Sequence, residues 1–261
     1  MSIEIARKFY QDGTWRVNGP AIEHFYPDGT LESRHYFYEG KRHRREKFYS
    51  NGALWECKWY TDNILHRDDG PAYKSFYEDG ALEFCSYYHH GKAHRVDGPA
   101  EERYYNHGAL WECKWFNNGE LHRIDGPALE DFLESGILVK SLWCKEGKRH
   151  REDGPALEYF YNNPDKSPLS YTWYKDGNLH CESGPASVDF YENGTLECRE
   201  WYISGKRHRE DGPAIEDFSK PARPKFVYYL DNELVTKAKH RQLISLRALS
   251  QQKDIPTKAA L

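Results

Sequence analysis

No run of about eighteen consecutive apolar residues occurs in this 261-residue chain, so no helix is apolar enough to span a membrane. The opening residues, Met1–Lys8, lack the apolar run of a secretory leader, and the expectation is an intracellular, reducing setting. No two cysteines stand as CxxC, which removes the support for a zinc ribbon. Neither a GxSxG elbow nor a Walker pattern is present. Methionine occurs once, and a hydrophobic content of 38% beside 30% charged residues argues against a thick two-sided core. Aromatic residues are plentiful at 15%, with 20 Tyr and 8 Trp. That balance fits a thin sheet whose faces are covered by broad rings rather than by a second layer.

A histidine recurs at near-constant spacing: His43, His66, His94, His122, His150, His180 and His208. Seven residues before each stands a large aromatic: Tyr36, Trp59, Tyr87, Trp115, Trp143, Trp173 and Trp201. A register this regular means one supersecondary unit copied many times. A clean copy runs from Asp69 to Val96. Its aromatic runs, Tyr73–Tyr77 and Ala81–Tyr88, are strand material, and Asp79-Gly80 and His90-Gly91 are turn material. A Gly-Pro-Ala step recurs at Gly19, Gly70, Gly98, Gly126, Gly154, Gly184 and Gly212, and the glycine is expected to supply positive φ. Asp69, Asp97, Asp125, Asp153 and Asp211 precede that step and follow an Arg by two residues, a spacing that places both side chains on one face.

The pattern is broken at several places. The unit after His43 reads HRREKFY and lacks five residues, including the Gly-Pro-Ala turn. The one after Phe160 reads YNNPDKSPLS and carries two extra residues. The one at His180 has lost its Arg and Asp. Trp15 holds the histidine position in the first unit. Irregularities of this kind fall where an array bends or where something else touches it. After about Pro221 the pattern stops. Phe226–Leu230 and Leu234-Val235 read as a last hairpin, and Thr236–Gln252 reads as a capping helix with Val235, Ala238, Leu246 and Leu249 near one face.

The pattern FYxxGxLExxxWYxxGKxHRxDGPA resembles looser MORN repeats. It is carried here by Phe76-Tyr77, Gly80, Leu82-Glu83, Tyr87-Tyr88, Gly91-Lys92, His94-Arg95 and Asp97–Ala100, and it covers about residues 15 to 218. The HRxDGPA form is similar to repeat proteins of large nucleocytoplasmic DNA viruses, the marseillevirus group especially. The resemblance implies an elongated solenoid of antiparallel β-hairpins and a scaffolding or virion role, with the virion interior or core favoured over the infected-cell cytoplasm.

The expected architecture is therefore all-β, with a repeat array over residues 1–218 and a basic hairpin and capping helix over 219–261. Cys57, Cys85 and Cys113 share one register. Copies an even number of strands apart lie at least about 9–10 Å from one another, beyond the roughly 7 Å reach of a disulfide. These three read as packed thiols, while a bridge among Cys144, Cys181 and Cys198 stays open. The same spacing argues against metal, because ladder histidines that far apart cannot converge on one ion. Copied His-Arg-x-Asp strings are repeat structure rather than a single catalytic constellation, so neither enzyme activity nor a cofactor is expected. The tail from Ser219 carries nine basic and three acidic residues, a net +6, which leaves −10 for residues 1–218 of a chain at −4. An acidic array repels phosphate. Only the tail, through Lys237, Lys239, Arg241 and Arg247, is expected to meet DNA or an anionic membrane. Protein partners, and a homodimer through an open sheet edge at the N-terminal end, complete the expectation.

Overall fold

The computed structural model describes residues 20, 22–162 and 167–250, with the backbone alone for Ile5–Lys8, Tyr10–Gln11, Thr14–Trp15 and the last helical residues 251–253. The Trp15 side chain, the Gly19 turn and residues 163–166 of the insertion lie outside the described residues. The chain is all-β apart from one C-terminal helix. It divides into two compact units, Met1–Gly147 and Lys148–Leu261.

In the first unit eleven strands pair antiparallel in chain order: Ile5–Lys8, Ile22–Phe25, Leu31–Tyr38, Lys41–Phe48, Leu54–Thr61, Tyr73–Phe76, Leu82–Ser86, Glu101–Tyr104, Leu110–Lys114, Leu129–Phe132 and Leu138–Leu142. The second unit repeats the scheme with Leu157–Phe160, Pro168–Thr172, Ser187–Phe190, Leu196–Glu200, Ile215–Asp217, Lys225–Leu230 and Glu233–Val235. Local sequence explains the hairpins. Asp28, Asn51, Asp79 and Asn193 each accept the backbone N–H two residues on, and a positive-φ glycine follows each of them.

A second, two-residue hairpin leaves each repeat after the ladder aromatic, as in Tyr88–His89 with Lys92–Ala93 and Tyr202–Ile203 with Lys206–Arg207. Its turn has two consecutive residues at positive φ: His90 and Gly91, Asn118 and Gly119, Asp176 and Gly177, Ser204 and Gly205. That conformation matches the twist of the flanking strands. The seven-residue spacing from aromatic to histidine is the closure of this hairpin. The amides of His66, His94, His122, His180 and His208 donate to the carbonyls of Trp59, Tyr87, Trp115, Trp173 and Trp201, at 3.0 to 3.2 Å.

The core is thin. Ala72, Ala100, Ala128, Ala156, Ala186 and Ala214, the alanines of Gly-Pro-Ala, are fully buried, and the largest completely enclosed side chains are Cys57 and Ser86. None of the six cysteines is in a disulfide, Cys144, Cys181 and Cys198 included.

The five-residue deletion has a clear structural result. Only the Gly-Pro-Ala turn is absent: the small hairpin at Glu39-Gly40, with Phe37 paired to Arg42 and Tyr38 to Lys41, runs straight on into the main sheet, so Leu31–Tyr38, Lys41–Phe48 and Leu54–Thr61 are continuous eight-residue strands, against four or five residues for the strand pairs that follow. His43 lies within one of them and is exposed, so it leaves the ladder.

The helix Lys237–Lys253 starts at Thr236, whose hydroxyl accepts the Lys239 amide at 3.2 Å as an N-cap. Its packed face differs from the expectation. His240 is buried against Tyr228 and hydrogen-bonds the Arg209 carbonyl at 2.8 Å, whereas Leu246 and Leu249 are 55% and 57% exposed. The packed face is His240, Leu243, Ile244 and Arg247, spaced as one helical stripe, and Arg247 bridges Glu210 at 3.1 Å and Asp231 at 2.9 Å.

Candidate functional site

The HRxDGPA string forms a closed cluster around its arginine. Arg95 stacks on Tyr87 at 4.2 Å, Arg123 on Trp115 at 4.0 Å, and Arg209 on Trp201 at 3.7 Å. Each guanidinium also holds the Asp two residues on, at 2.6 to 3.1 Å, and the carbonyl of the Gly-Pro-Ala proline, at 3.2 to 3.4 Å. These contacts use both the planar face and the fork of the arginine, which a lysine cannot do. The hydrogen bonds hold the carboxyls of Asp69, Asp153 and Asp211 below the usual carboxylate range.

The Gly-Pro-Ala glycines correct an expectation. None of the described ones has positive φ. They are required for space: a Cβ would meet the guanidinium carbon at 2.7 Å from Gly98 and at 2.6 Å from Gly126 and Gly154. At Gly184, where Cys181 replaces the arginine, a Cβ would meet nothing within 4 Å. The deleted repeat keeps the pairing without the turn: Arg44 stands over Tyr36 at 5.2 Å and Trp59 at 5.6 Å, and it pairs with Glu46.

The ladder imidazoles have a consistent partner 23 to 26 residues further on. Nδ1 of His66, His94, His122, His150, His180 and His208 accepts the backbone N–H of His90, Asn118, Glu146, Asp176, Ser204 and Asp231, at 3.0 to 3.3 Å. Each donor is the first positive-φ residue of the small hairpin in the following repeat. Nε2 faces a carboxylate two residues on at His66 (Asp68, 3.2 Å), His150 (Glu152, 3.0 Å), His180 (Glu182, 3.5 Å) and His208 (Glu210, 3.7 Å). The ladder thus stitches one repeat to the next.

A tyrosine ladder that was not singled out from the sequence does the same at the other end of the strands. The hydroxyls of Tyr26, Tyr49, Tyr77, Tyr105, Tyr161 and Tyr191 donate to the carbonyls of Phe48, Phe76, Tyr104, Phe132, Phe190 and Phe218. The offset is 27 residues in most copies, 22 across the deletion and 29 across the insertion. The period of these tyrosines was visible in the sequence, while the carbonyl they reach was not.

His66, His89 and His90 bring ligand-type atoms within 4.8 Å of one another, a cluster the ladder spacing alone does not reveal. The chemistry of its buried member opposes coordination. His66 spends the Nδ1 lone pair on the His90 amide, so its proton sits on Nε2, directed at Asp68. A metal on Nε2 would have to displace that proton. Metal-ligating histidines ordinarily carry a proton on the second nitrogen and donate it, and here that nitrogen faces a donor.

Cys85 and Cys113 are buried beside Glu102 and Glu130, and burial followed by those carboxylates pushes both thiols up to about 12. They are poor nucleophiles. In the tail, Lys237, Lys239 and Arg241 are exposed, whereas Arg247 is committed to its two carboxylates.

No protein-family model and no curated protein matches the chain. Among solved structures, a "Crystal Structure of TcdB2-TccC3-TEV" aligns with 81% of this chain at 12% identity and a TM-score of 0.16, and the chain spans 13% of that protein's length.

Proposed function

We propose that this protein is a non-enzymatic scaffold that presents a repeated β surface to protein partners. One observation carries the reading: in the regular repeats the histidine, arginine and aspartate are consumed in holding that repeat and its neighbour. A group whose nitrogen and guanidinium positions are filled internally serves structure before chemistry. The MORN-like pattern extends the proposal to an abundant virion component of a large DNA virus that self-associates as a homodimer. Quantitative mass spectrometry of purified particles tests the first point, and high copy number is the expected result. Light scattering tests the second, and a strict monomer at high concentration overturns it.

A second reading is an adaptor that meets DNA or an anionic membrane through the tail. It is favoured by the exposure of Lys237, Lys239 and Arg241 on one turn of helix. Full-length protein carrying Lys239→Glu and Arg241→Glu should then lose binding to duplex DNA or to phosphatidylserine vesicles.

A further inference from the structure

The repeat with the deletion carries an excess of positive charge on one sheet face. Alternate residues of a strand share a face. Arg45 lies opposite His35 and Lys58, Lys47 lies opposite Ser33 and Glu56, and Lys58 lies opposite Tyr73. One face therefore carries Arg45, Lys47 and Lys58. Arg42 joins the same face, since it lies opposite Phe37, two residues on from His35 in one strand. The acid on this stretch is Glu56, which is buried and shared among Arg45, Lys47 and Lys58. No ion pair to Arg42 occurs among the described residues, and the Nε atoms of Arg42 and Arg45 have no hydrogen-bond partner. Four cations against one carboxylate leave about +3 on three strands of an array that is acidic in sum. The opposite face of the same strands is balanced, with Arg34 on Glu23 and Arg44 on Glu46.

Aromatic rings continue this face. The Lys58 ammonium stands 4.4 Å from the ring of Tyr73, Tyr73 packs on Phe84 at 5.4 Å, and Arg103 stands over Phe84 at 5.1 Å. Arg42 stands over Tyr60, and Lys47 over Trp55, which is 40% exposed. Cations that take phosphates beside rings that take base faces are the two parts of a surface for single-stranded nucleic acid. A protein acid needs only the cations, and a duplex buries the base faces that the rings would use. The loss of the Gly-Pro-Ala turn after His43 is what leaves the three long strands uninterrupted.

We propose that the face formed by Arg42, Arg45, Lys47 and Lys58, with Tyr73 and Phe84, binds single-stranded nucleic acid. The proposal is independent of the scaffold and tail readings. It is tested on the full chain by fluorescence anisotropy with labelled oligo-dT of twenty nucleotides at low salt. Arg42→Gln with Lys47→Gln should weaken binding by about tenfold or more and flatten the salt dependence, because each phosphate contact contributes about −0.7 to the log–log slope on single strands. Tyr73→Leu, which keeps an apolar side chain, should weaken binding about 5- to 100-fold if a base stacks there. Circular dichroism melts establish that each variant is folded, and Lys47→Gln alone serves if the double variant is not. Lys175→Gln with Lys206→Gln, at two exposed lysines of the second unit, should leave oligonucleotide binding unchanged, and the tail variant Lys239→Glu with Arg241→Glu is measured beside it. The proposal is overturned if the wild-type chain does not bind the oligonucleotide, or if only the tail variant loses binding. Equal displacement by polyglutamate, or a preference for phosphatidylserine vesicles over the oligonucleotide, overturns it as well.

Discussion

Arg95 occupies the space that a side chain at Gly98 would need: a Cβ there would lie 2.7 Å from the guanidinium carbon. The clash is with a group pinned by Tyr87, Asp97 and Pro99, so it cannot swing away without breaking those contacts. Gly98→Ala and Gly126→Ala should each cost about 1–3 kcal/mol, the usual range for forced overpacking. Gly184→Ala has open space and ordinary φ, so it should be neutral or stabilise by up to about 1 kcal/mol through the unfolded chain. Urea melts of the three variants measure this, and equal losses at all three sites would refute the steric account.

Tyr77→Phe removes one hydroxyl and leaves the Tyr104 carbonyl without its 2.8 Å donor. The expected loss is about 1 kcal/mol, typical of one net hydrogen bond. Tyr105→Phe should behave alike, since Tyr105 reaches Phe132 at 2.9 Å. A thermal midpoint indistinguishable from wild type for both would remove the tyrosine ladder from the account of stability.

Stability should fall on mild acidification because of His35. Burial first, then the charges of Arg42, His24, Arg45 and Lys47, lower its pKa from 6.5 to about 4. The folded state therefore binds fewer protons than the unfolded state between those values. Its contribution is complete above about pH 6.5 and is lost progressively as pH falls toward about 4. His35 is only half-buried, so after allowance for solvent screening the effect is on the order of 1 kcal/mol. Melts at pH 7.5 and pH 5 of wild type and His35→Gln measure it, and the variant should show the smaller difference.

Thiol reactivity should rank by burial. Cys198 is half-exposed and its thiol is raised to about 11 by burial and then Glu200, whereas Cys85 and Cys113 are enclosed and raised to about 12. Iodoacetamide at pH 8 followed by peptide mapping should find Cys198 alkylated first. Earlier labelling of Cys85 or Cys113 would mean that the sheet opens there.

Zinc should leave the thermal midpoint unchanged, because His66 accepts the His90 amide through Nδ1. A rise of several degrees that His89→Ala abolishes would show instead that the cluster coordinates metal.

The repeat, its turn residues and the all-β class were legible in the sequence because each is written in local pattern. Period, Asp-Gly and Asn-Gly steps, and aromatic strand runs act over a few residues. The purpose of the seven-residue step from Tyr87 to His94 was not legible, since it marks a backbone hydrogen bond rather than a side-chain contact. The helix face was misread for a related reason. Ala238, Leu246 and Leu249 mark one stripe, but the helix packs the stripe of His240, Leu243, Ile244 and Arg247, and the partners of that stripe, Arg209, Glu210 and Asp231, lie 31, 37 and 16 residues away.

Local chemistry alone thus determined that this chain is a register of hairpins, and where that register breaks at His43 and His180. Tertiary structure decided what each repeated residue does. The Gly-Pro-Ala glycines make room for an arginine instead of turning the chain, the histidines accept an amide from the following repeat, and Arg45, Lys47 and Lys58 share one face. The histidine contacts join atoms about one repeat apart in sequence, the shared cationic face joins neighbouring strands, and the arginine beside each glycine is held by an aromatic at the end of the preceding strand; only the pairing of strands brings these groups together.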